Sequence, residues 1–286
     1  MKVLIIGSNS QLGLEFQKIS KNYHTLSWFF STTRTLDLLK LDTISCFLND
    51  INPSVIINCA AYTRVDKAEV EFELADIINH KAVDVISRWT SDNNKKLVHI
   101  STDYVFDGLS KVPLSENSTT NPINEYGGSK LKGEQVCLKN DRNSIIIRTS
   151  WLYSSFGNNF LKTMIELMKK KNSVRVVNDQ IGSPTYAYDL AKVILEIIMN
   201  YKTESGLFHY SNEGEISWYE FTNSIKELYG LNSEIIGVSS KEYITLAKRP
   251  QYSFLNKSKI KKIFNLEIPN YRQSLEDCIK VIKNET

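Results

Sequence analysis

Val3-Leu4-Ile5-Ile6-Gly7-Ser8-Asn9-Ser10-Gln11-Leu12-Gly13, directly after Met1-Lys2, is the stretch whose reading decides the fold. Four apolar residues in succession suit a strand buried on both faces, which belongs in a parallel sheet covered by helices. Gly7 ends the run, and Leu12, Leu14, Phe16 and Ile19 then recur at near-helical spacing. Strand, glycine turn and helix in that order suit a dinucleotide. Gly7 fits the tight turn, Gly13 fits close packing of helix on strand, and the helix N-terminus is aimed at a pyrophosphate. Two glycines six apart say little by themselves; their place after an N-terminal buried strand gives the pair its meaning.

The same alternation continues outward. Residues 25–30 read as a second strand and 41–51 as a helix, which stops near Pro53 because the residue before proline avoids helical angles. Residues 55–59 form a third strand. Phe72 to Thr90 reads as one long helix, with Leu74, Ile77, Ile78, Val85, Ile86 and Trp89 available for an apolar stripe. A strand at 97–101, a helix at 126–138 and a strand at 145–147 complete the series. Strands alternating with longer helices imply an α/β fold, a Rossmann-type doubly wound parallel sheet. Residues 1–150 are expected to form the dinucleotide-binding domain. Residues 151–286 form a smaller mixed α/β domain for the substrate, with one or two segments returning to the first. In this second part, 159–170, 190–201 and 218–229 look helical, and 174–177 and 207–210 are short strands.

Composition narrows the function classes. The chain has 286 residues, 42% apolar, with 35 basic against 32 acidic residues and a net charge of +3, so nothing resembles a polyanion-binding surface. No nucleic-acid or membrane partner is expected. Cys46, Cys59, Cys137 and Cys278 show no CxxC pairing, and read as reduced thiols of a cytoplasmic protein rather than as a metal site. The first apolar run is too short for a signal peptide, and no stretch approaches 18 uninterrupted apolar residues. The four histidines do not cluster in sequence, and none is offered as a ligand or base.

Tyr126-Gly127-Gly128-Ser129-Lys130 is a YxxxK placed early in a helix, where a spacing of four puts phenol and ammonium on one face. Free tyrosine has a pKa of about 10, and a neighbouring ammonium is expected to bring it down. A second such pair, Tyr188 and Lys192, lacks context. Tyr126 instead follows a strand ending in Ser101-Thr102-Asp103, at the carboxyl end of the sheet, where open α/β folds bind ligands. The tip of the second strand reads Phe29-Phe30-Ser31-Thr32-Thr33-Arg34, with no acid before Asp37. Arg34 and the hydroxyl cluster favour NADP(H) over NAD(H).

Several motifs together carry a resemblance: Asn58 to Thr63 with Val65 to Glu69, Ser101 to Phe106, Tyr126 to Lys130, Arg148 to Trp151, Gly157 to Phe160, Asp179 to Thr185, and Arg249-Pro250. In this order they cover nearly the whole chain, which resembles the dTDP-4-dehydrorhamnose reductases, extended short-chain dehydrogenases that reduce a 4-keto nucleotide sugar to dTDP-L-rhamnose. The resemblance implies that Tyr126 is the proton donor, with Lys130 its activator and a ligand of the nicotinamide ribose. Thr102 bonds the substrate carbonyl or the Tyr126 hydroxyl. Ser10, Gln11 and Leu12 would lie along the pyrophosphate, Asp37 and Leu38 flank the adenine, and Ala61, Tyr62 and Thr63 line the cofactor further in. Asp103, Trp151, Asn159 and Arg249 would touch the sugar nucleotide, and Gln180 to Thr185 would join that pocket. Two positions depart from the family pattern: Ser10 replaces a glycine, and the second strand lacks its terminal acid. Some family members bind magnesium at a dimer interface, but nothing here compels a metal. The expected assembly is a monomer or homodimer. Alternatives are a reductase of another nucleotide-linked 4-keto-6-deoxy sugar, or a non-catalytic regulatory subunit that binds NADP and a sugar nucleotide.

Overall fold

The computed structural model describes residues 1–284. The first half runs β1 (Lys2–Ile6), α1 (Gln11–Ser20), β2 (Ser27–Ser31), α2 (Leu41–Ile51), β3 (Val55–Asn58), α3 (Val65–Ala68), α4 (Phe72–Asp76), α5 (Ala82–Asp92), β4 (Lys96–Thr102), α6 (Glu125–Asn140) and β5 (Ile145–Thr149). Then follow β6 (Leu152–Tyr153), α7 (Phe160–Lys170), β7 (Ser173–Val177), β8 (Ile181–Gly182), β9 (Thr185–Tyr186), α8 (Ala187–Asn200) and β10 (Gly206–His209). The chain continues through β11 (Ile216–Ser217), α9 (Trp218–Tyr229), β12 (Glu234–Val238), α10 (Ser258–Phe264) and α11 (Tyr271–Asn284).

Six strands form one parallel sheet in the order β10-β5-β4-β3-β1-β2. The unbroken apolar run of β1 is explained by its two covered faces. Val3 and Ile5 join a core with Phe16 of α1 and Leu190 and Ile194 of α8. Leu4 and Ile6 face the other way, toward Ile44 and Leu48 of α2 and Val83 and Ile86 of α5. Each such side chain contributes about 1.5–3 kcal/mol by leaving water. This is the Rossmann-type doubly wound sheet expected from the opening residues. The strand expected at 207–210 falls at Gly206–His209 and pairs with β5, so it belongs to the main sheet. A separate core gathers Tyr153, Leu161, Ile165, Phe221, Ile225 and Leu275 from β6, α7, α9 and α11. Among the described residues no helix is long and apolar enough to cross a membrane.

One sequence expectation needs correction. Phe72 to Thr90 is not a single regular helix: a π-turn over Ile77–Lys81 separates α4 from α5. The extra residue in that turn rotates Asn79 inward, where it is 1% exposed. Such π-turns occur frequently at functional sites.

A buried ion pair ties the sheet to α6. Arg148 of β5 donates from Nε and Nη2 to the two oxygens of Glu134, at 2.9 and 2.6 Å. Ser101 of β4 donates to the same carboxylate at 2.5 Å, and the guanidinium lies 5.0 Å from the Phe106 ring centroid. Removing one partner strands the other charge in the interior. Arg148→Met is therefore expected to cost about 3–5 kcal/mol in urea denaturation, and adding Glu134→Leu to recover most of it. A single variant within about 1 kcal/mol of the native chain would contradict this account.

Candidate active site

The sheet order reverses at β1, which has β2 on one side and β3 on the other. Loops leaving the carboxyl ends of strands diverge at such a point and open a crevice. The turn after β1 is held against both neighbours. Gly7 and Ser8 donate their backbone N–H groups to the Ser31 carbonyl, at 3.1 and 2.9 Å. Gly7 has φ +78°, and a Cβ there would stand 2.6 Å from the Ala60 nitrogen; one on Gly13 would stand 2.5 Å from the Gly7 carbonyl oxygen. Ser10 takes an ordinary extended conformation as the N-cap of α1, and its Oγ accepts from the Gly13 N–H at 3.1 Å. Serine thus replaces the family's glycine without backbone strain, and the cap is worth about 1 kcal/mol.

Beside this turn lies a cavity of about 730 Å³. Ser10, Gln11 and Leu12 line it from the N-terminus of α1, and Ala61 and Thr63 from the loop after β3. Thr102, Asp103, Tyr126, Lys130, Trp151, Asn159 and Arg249 line it as well. A tight glycine turn beside a helix N-terminus fits a pyrophosphate. The remaining expected residues lie outside the cavity lining. Gly7 and Gly13 shape the turn behind it. Arg34 is exposed, Asp37 accepts from the Leu39 N–H, and Leu38 is buried in the core below α2. Tyr62 directs its hydroxyl to Glu71. Gln180 to Thr185 are also absent from the lining: Gly182 backs the Trp151 indole, and the Ser183 carbonyl accepts from Ser150 Oγ at 2.6 Å.

Trp218 was not singled out in the sequence, yet it stacks on Trp151 with ring centroids 3.7 Å apart and planes 10° from parallel. Phe160 lies 4.3 Å from the same indole, and all three line the cavity. The stack accompanies a positive φ of 48° at Trp151, rare for a bulky residue. Ser217-x-x-Glu220 is a capping box that marks the start of α9. Nothing local in that signal says which ring Trp218 meets. Asn79 is a second omission: its side chain accepts from the Tyr62 N–H at 2.8 Å and donates to the Tyr62 carbonyl and Ser129 Oγ, clamping the loop after β3 to α6. Asn159 uses its amide to cap α7 and to reach Gln11 Oε1 at 2.8 Å. Arg249 makes a two-pronged pair with Asp66 at 3.1 and 2.6 Å.

Charges in the middle of the cavity depart from one expectation. Burial raises the half-buried Tyr126 phenol to about 12; the Thr102 hydroxyl lowers it and Asp103 raises it further. Lys130 does not bring it down, because its Nζ is directed elsewhere: it donates to the Ile100 carbonyl at 2.6 Å and lies 3.3 Å from His99 Nε2. Burial lowers Lys130 to about 8, although Glu134 and Cys137 oppose the shift. A phenol raised in this way stays protonated near neutrality. Lys192 of the second YxxxK is exposed.

The model for the RmlD substrate binding domain matches residues 1–284. A dTDP-4-dehydrorhamnose reductase of Aggregatibacter actinomycetemcomitans is 35% identical, covering 96% of this chain and 97% of its own. The spore coat polysaccharide biosynthesis protein SpsK of Bacillus subtilis is also 35% identical, covering 98% and 97%. Among solved structures, the dTDP-4-dehydrorhamnose reductase of Bacillus anthracis in complex with NADP is 37% identical, with a TM-score of 0.94 over 98% of this chain and 99% of that one.

Asp103 provides a pH test of the site. Burial pushes its carboxyl up to about 6, against the hydroxyls of Ser253 and Thr102. An acid whose folded pKa exceeds its unfolded value of about 4 favours folding fully only below about pH 4, and that contribution fades as pH rises to about 6. The stability of Asp103→Asn relative to the native chain should therefore climb by about 2–3 kcal/mol across this window and level off above it. Denaturation midpoints between pH 4 and 7 check this; a difference independent of pH contradicts it.

Proposed function

The chain belongs to the RmlD family of dTDP-4-dehydrorhamnose reductases, and on that footing we propose that it reduces the 4-keto group of dTDP-4-dehydro-6-deoxy-L-mannose to dTDP-L-rhamnose with NADPH. The observation that carries the reading is the meeting of Tyr126, Lys130 and Thr102 in one cavity with Ser10, Gln11 and Leu12 at the N-terminus of α1. Pyrophosphate-facing backbone and a proton donor thereby share one space. When bound, NADPH supplies the hydride for the sugar's C4 carbon.

The protein's own part is proton delivery and orientation. Tyr126 gives its phenolic proton to the oxygen that develops negative charge, and Thr102 holds that oxygen and the phenol in line. Such general-acid help is worth about 10²–10⁴-fold. Lys130, with one N–H on the Ile100 carbonyl, presents the rest of its amino group to the cavity for a ribose hydroxyl. Trp151 and Trp218 form a flat apolar wall for the nucleotide sugar, and Asp103 and Arg249 supply polar contacts. Asn159 acts by positioning, since its amide is occupied by Gln11 and the start of α7. Arg34, exposed after β2, is the cation available to the 2′-phosphate of NADPH. The product would serve as a precursor of cell-surface polysaccharide, made in the cytoplasm by a monomer or homodimer.

The reading is tested by supplying dTDP-4-dehydro-L-rhamnose with NADPH, following loss of nicotinamide absorbance and identifying the product by NMR. Stoichiometric NADPH oxidation with formation of dTDP-L-rhamnose is expected. Another sugar product would redirect the substrate assignment, and failure to oxidise NADPH with any keto-sugar nucleotide would favour a non-catalytic binding role. Tyr126→Phe should lower turnover by about 10²–10⁴-fold while NADPH affinity changes little; unchanged turnover would remove Tyr126 from the mechanism.

A further inference from the structure

Lys130 is not alone at the bottom of the cavity. Behind it lies His99, fully buried on β4, and behind that Asn58, 1% exposed at the end of β3. The two strands place Asn58 and His99 opposite one another in register. Asn58 Nδ2 lies 3.3 Å from His99 Nδ1, and His99 Nε2 lies 3.3 Å from Lys130 Nζ.

Donor and acceptor roles along this line are set from its far end. The Ala60 N–H donates to Asn58 Oδ1 at 3.2 Å, and an N–H can only face an acceptor. The amide must therefore present its NH₂ to His99, so Nδ1 accepts and the ring proton of a neutral imidazole sits on Nε2. That proton points at Lys130, and only the lone pair of a neutral amine can receive it. The amine then keeps one N–H for the Ile100 carbonyl, 2.6 Å away, and one for the cavity. If Lys130 takes up a proton, two N–H groups confront each other across the 3.3 Å gap, unless the ring proton moves to Nδ1 and confronts the Asn58 amide instead. Either way one buried hydrogen bond is lost.

We propose that Asn58 and His99 are positioning residues that hold Lys130 toward its neutral form, the Asn58 amide fixing the His99 tautomer and the tautomer offering Lys130 a donor. Other groups around Lys130 act on it directly. Glu134 and Cys137 of α6 favour its charged form, and Arg148 of β5 is paired with Glu134. Cys59 and Tyr126, which share the cavity, are both pushed up by burial and stay protonated, and Asp103 stands at the other end of the catalytic group. Burial, with any charge on Lys130 adding to it, holds His99 well below its ordinary range, so the ring itself stays neutral.

The bearing of this device on turnover rests on the reductase reading, but its test needs neither cofactor nor substrate. Long-range proton–nitrogen NMR of the ligand-free chain reports which ring nitrogen carries the proton, with His99 assigned by His99→Phe. Lysine carbon-13 labelling follows the titration of Lys130, assigned by Lys130→Arg. In the native chain, above the Lys130 titration, the ring proton is expected on Nε2; finding it on Nδ1 overturns the proposal without any variant. In Asn58→Asp the carboxylate accepts from both Ala60 and Nδ1–H, leaving Nε2 to accept from the ammonium. The proton affinity of Lys130 should then rise about tenfold to a hundredfold, with the ring proton held on Nδ1. An unchanged lysine titration, or a raised one with the proton still on Nε2, would overturn it, the latter marking a simple field effect of the added charge.

Discussion

Gly7 and Gly13, on either side of the turn after β1, leave no room for a side chain, and the rest of the site depends on that. Gly7 stands against Ala60 and Gly13 against Gly7, so the loops leaving β1 and β3 meet with only backbone between them. A Cβ at either glycine would push α1 away from the sheet or force the loop after β3 outward. The second change would reach further than the turn. Asn58 ends β3, Ala60 and Tyr62 belong to that loop, and through these three it is fastened to His99 and Asn79 and so to α6. The close approach at Gly7 thus places the backbone at the N-terminus of α1 and the Tyr126 helix in one frame.

Much of this was legible in the sequence, and the boundary is a physical one. Strands buried on both faces announce themselves by composition, because nearly all the side chains they bury are apolar; β1, β3 and β5 are legible that way. Helix-spaced side chains and a YxxxK are likewise local. What stayed hidden depends on partners distant in sequence. Asn79 sits inside a pattern that reads as uninterrupted helix, since periodicity does not register one extra residue in a turn. Trp218 has meaning only once α9 is folded against the segment after β5. His99 reads as one polar residue in an apolar strand, and its role appears only with Asn58 and Lys130 on either side. The expected lowering of the Tyr126 phenol went the other way because spacing fixes which helix face a lysine occupies, not what its ammonium bonds. Leu38, named through resemblance, is part of the apolar core.

Coupling between the two ends of the cavity runs along one face of α1. Gln11 accepts from Asn159, Glu15 accepts from Ser154 Oγ at 2.6 Å, and Lys18 lies over the Phe156 ring. Three residues at helical spacing therefore grip the segment from Ser154 to Asn159, which leads into α7 and the aromatic wall. The helix whose N-terminus lines the cavity at Ser10 to Leu12 also holds the segment that leads to the Trp151 and Trp218 wall. A ligand that shifts α1 would be felt at the aromatic wall without any hinge between them.

The strand order has a consequence for how the chain can be made. β10 pairs with β5, yet it is synthesised only after α7, β7 and α8. Until then β5 is an open edge with unpaired backbone groups, and the face of α1 that meets α8 is uncovered. The nascent first half is thus an incomplete sheet with an adhesive border. The sheet is completed only after α7 and β7 of the second core have been made, and a ribosome that stalls after residue 150 would leave behind a species prone to pair edge to edge with its own copies.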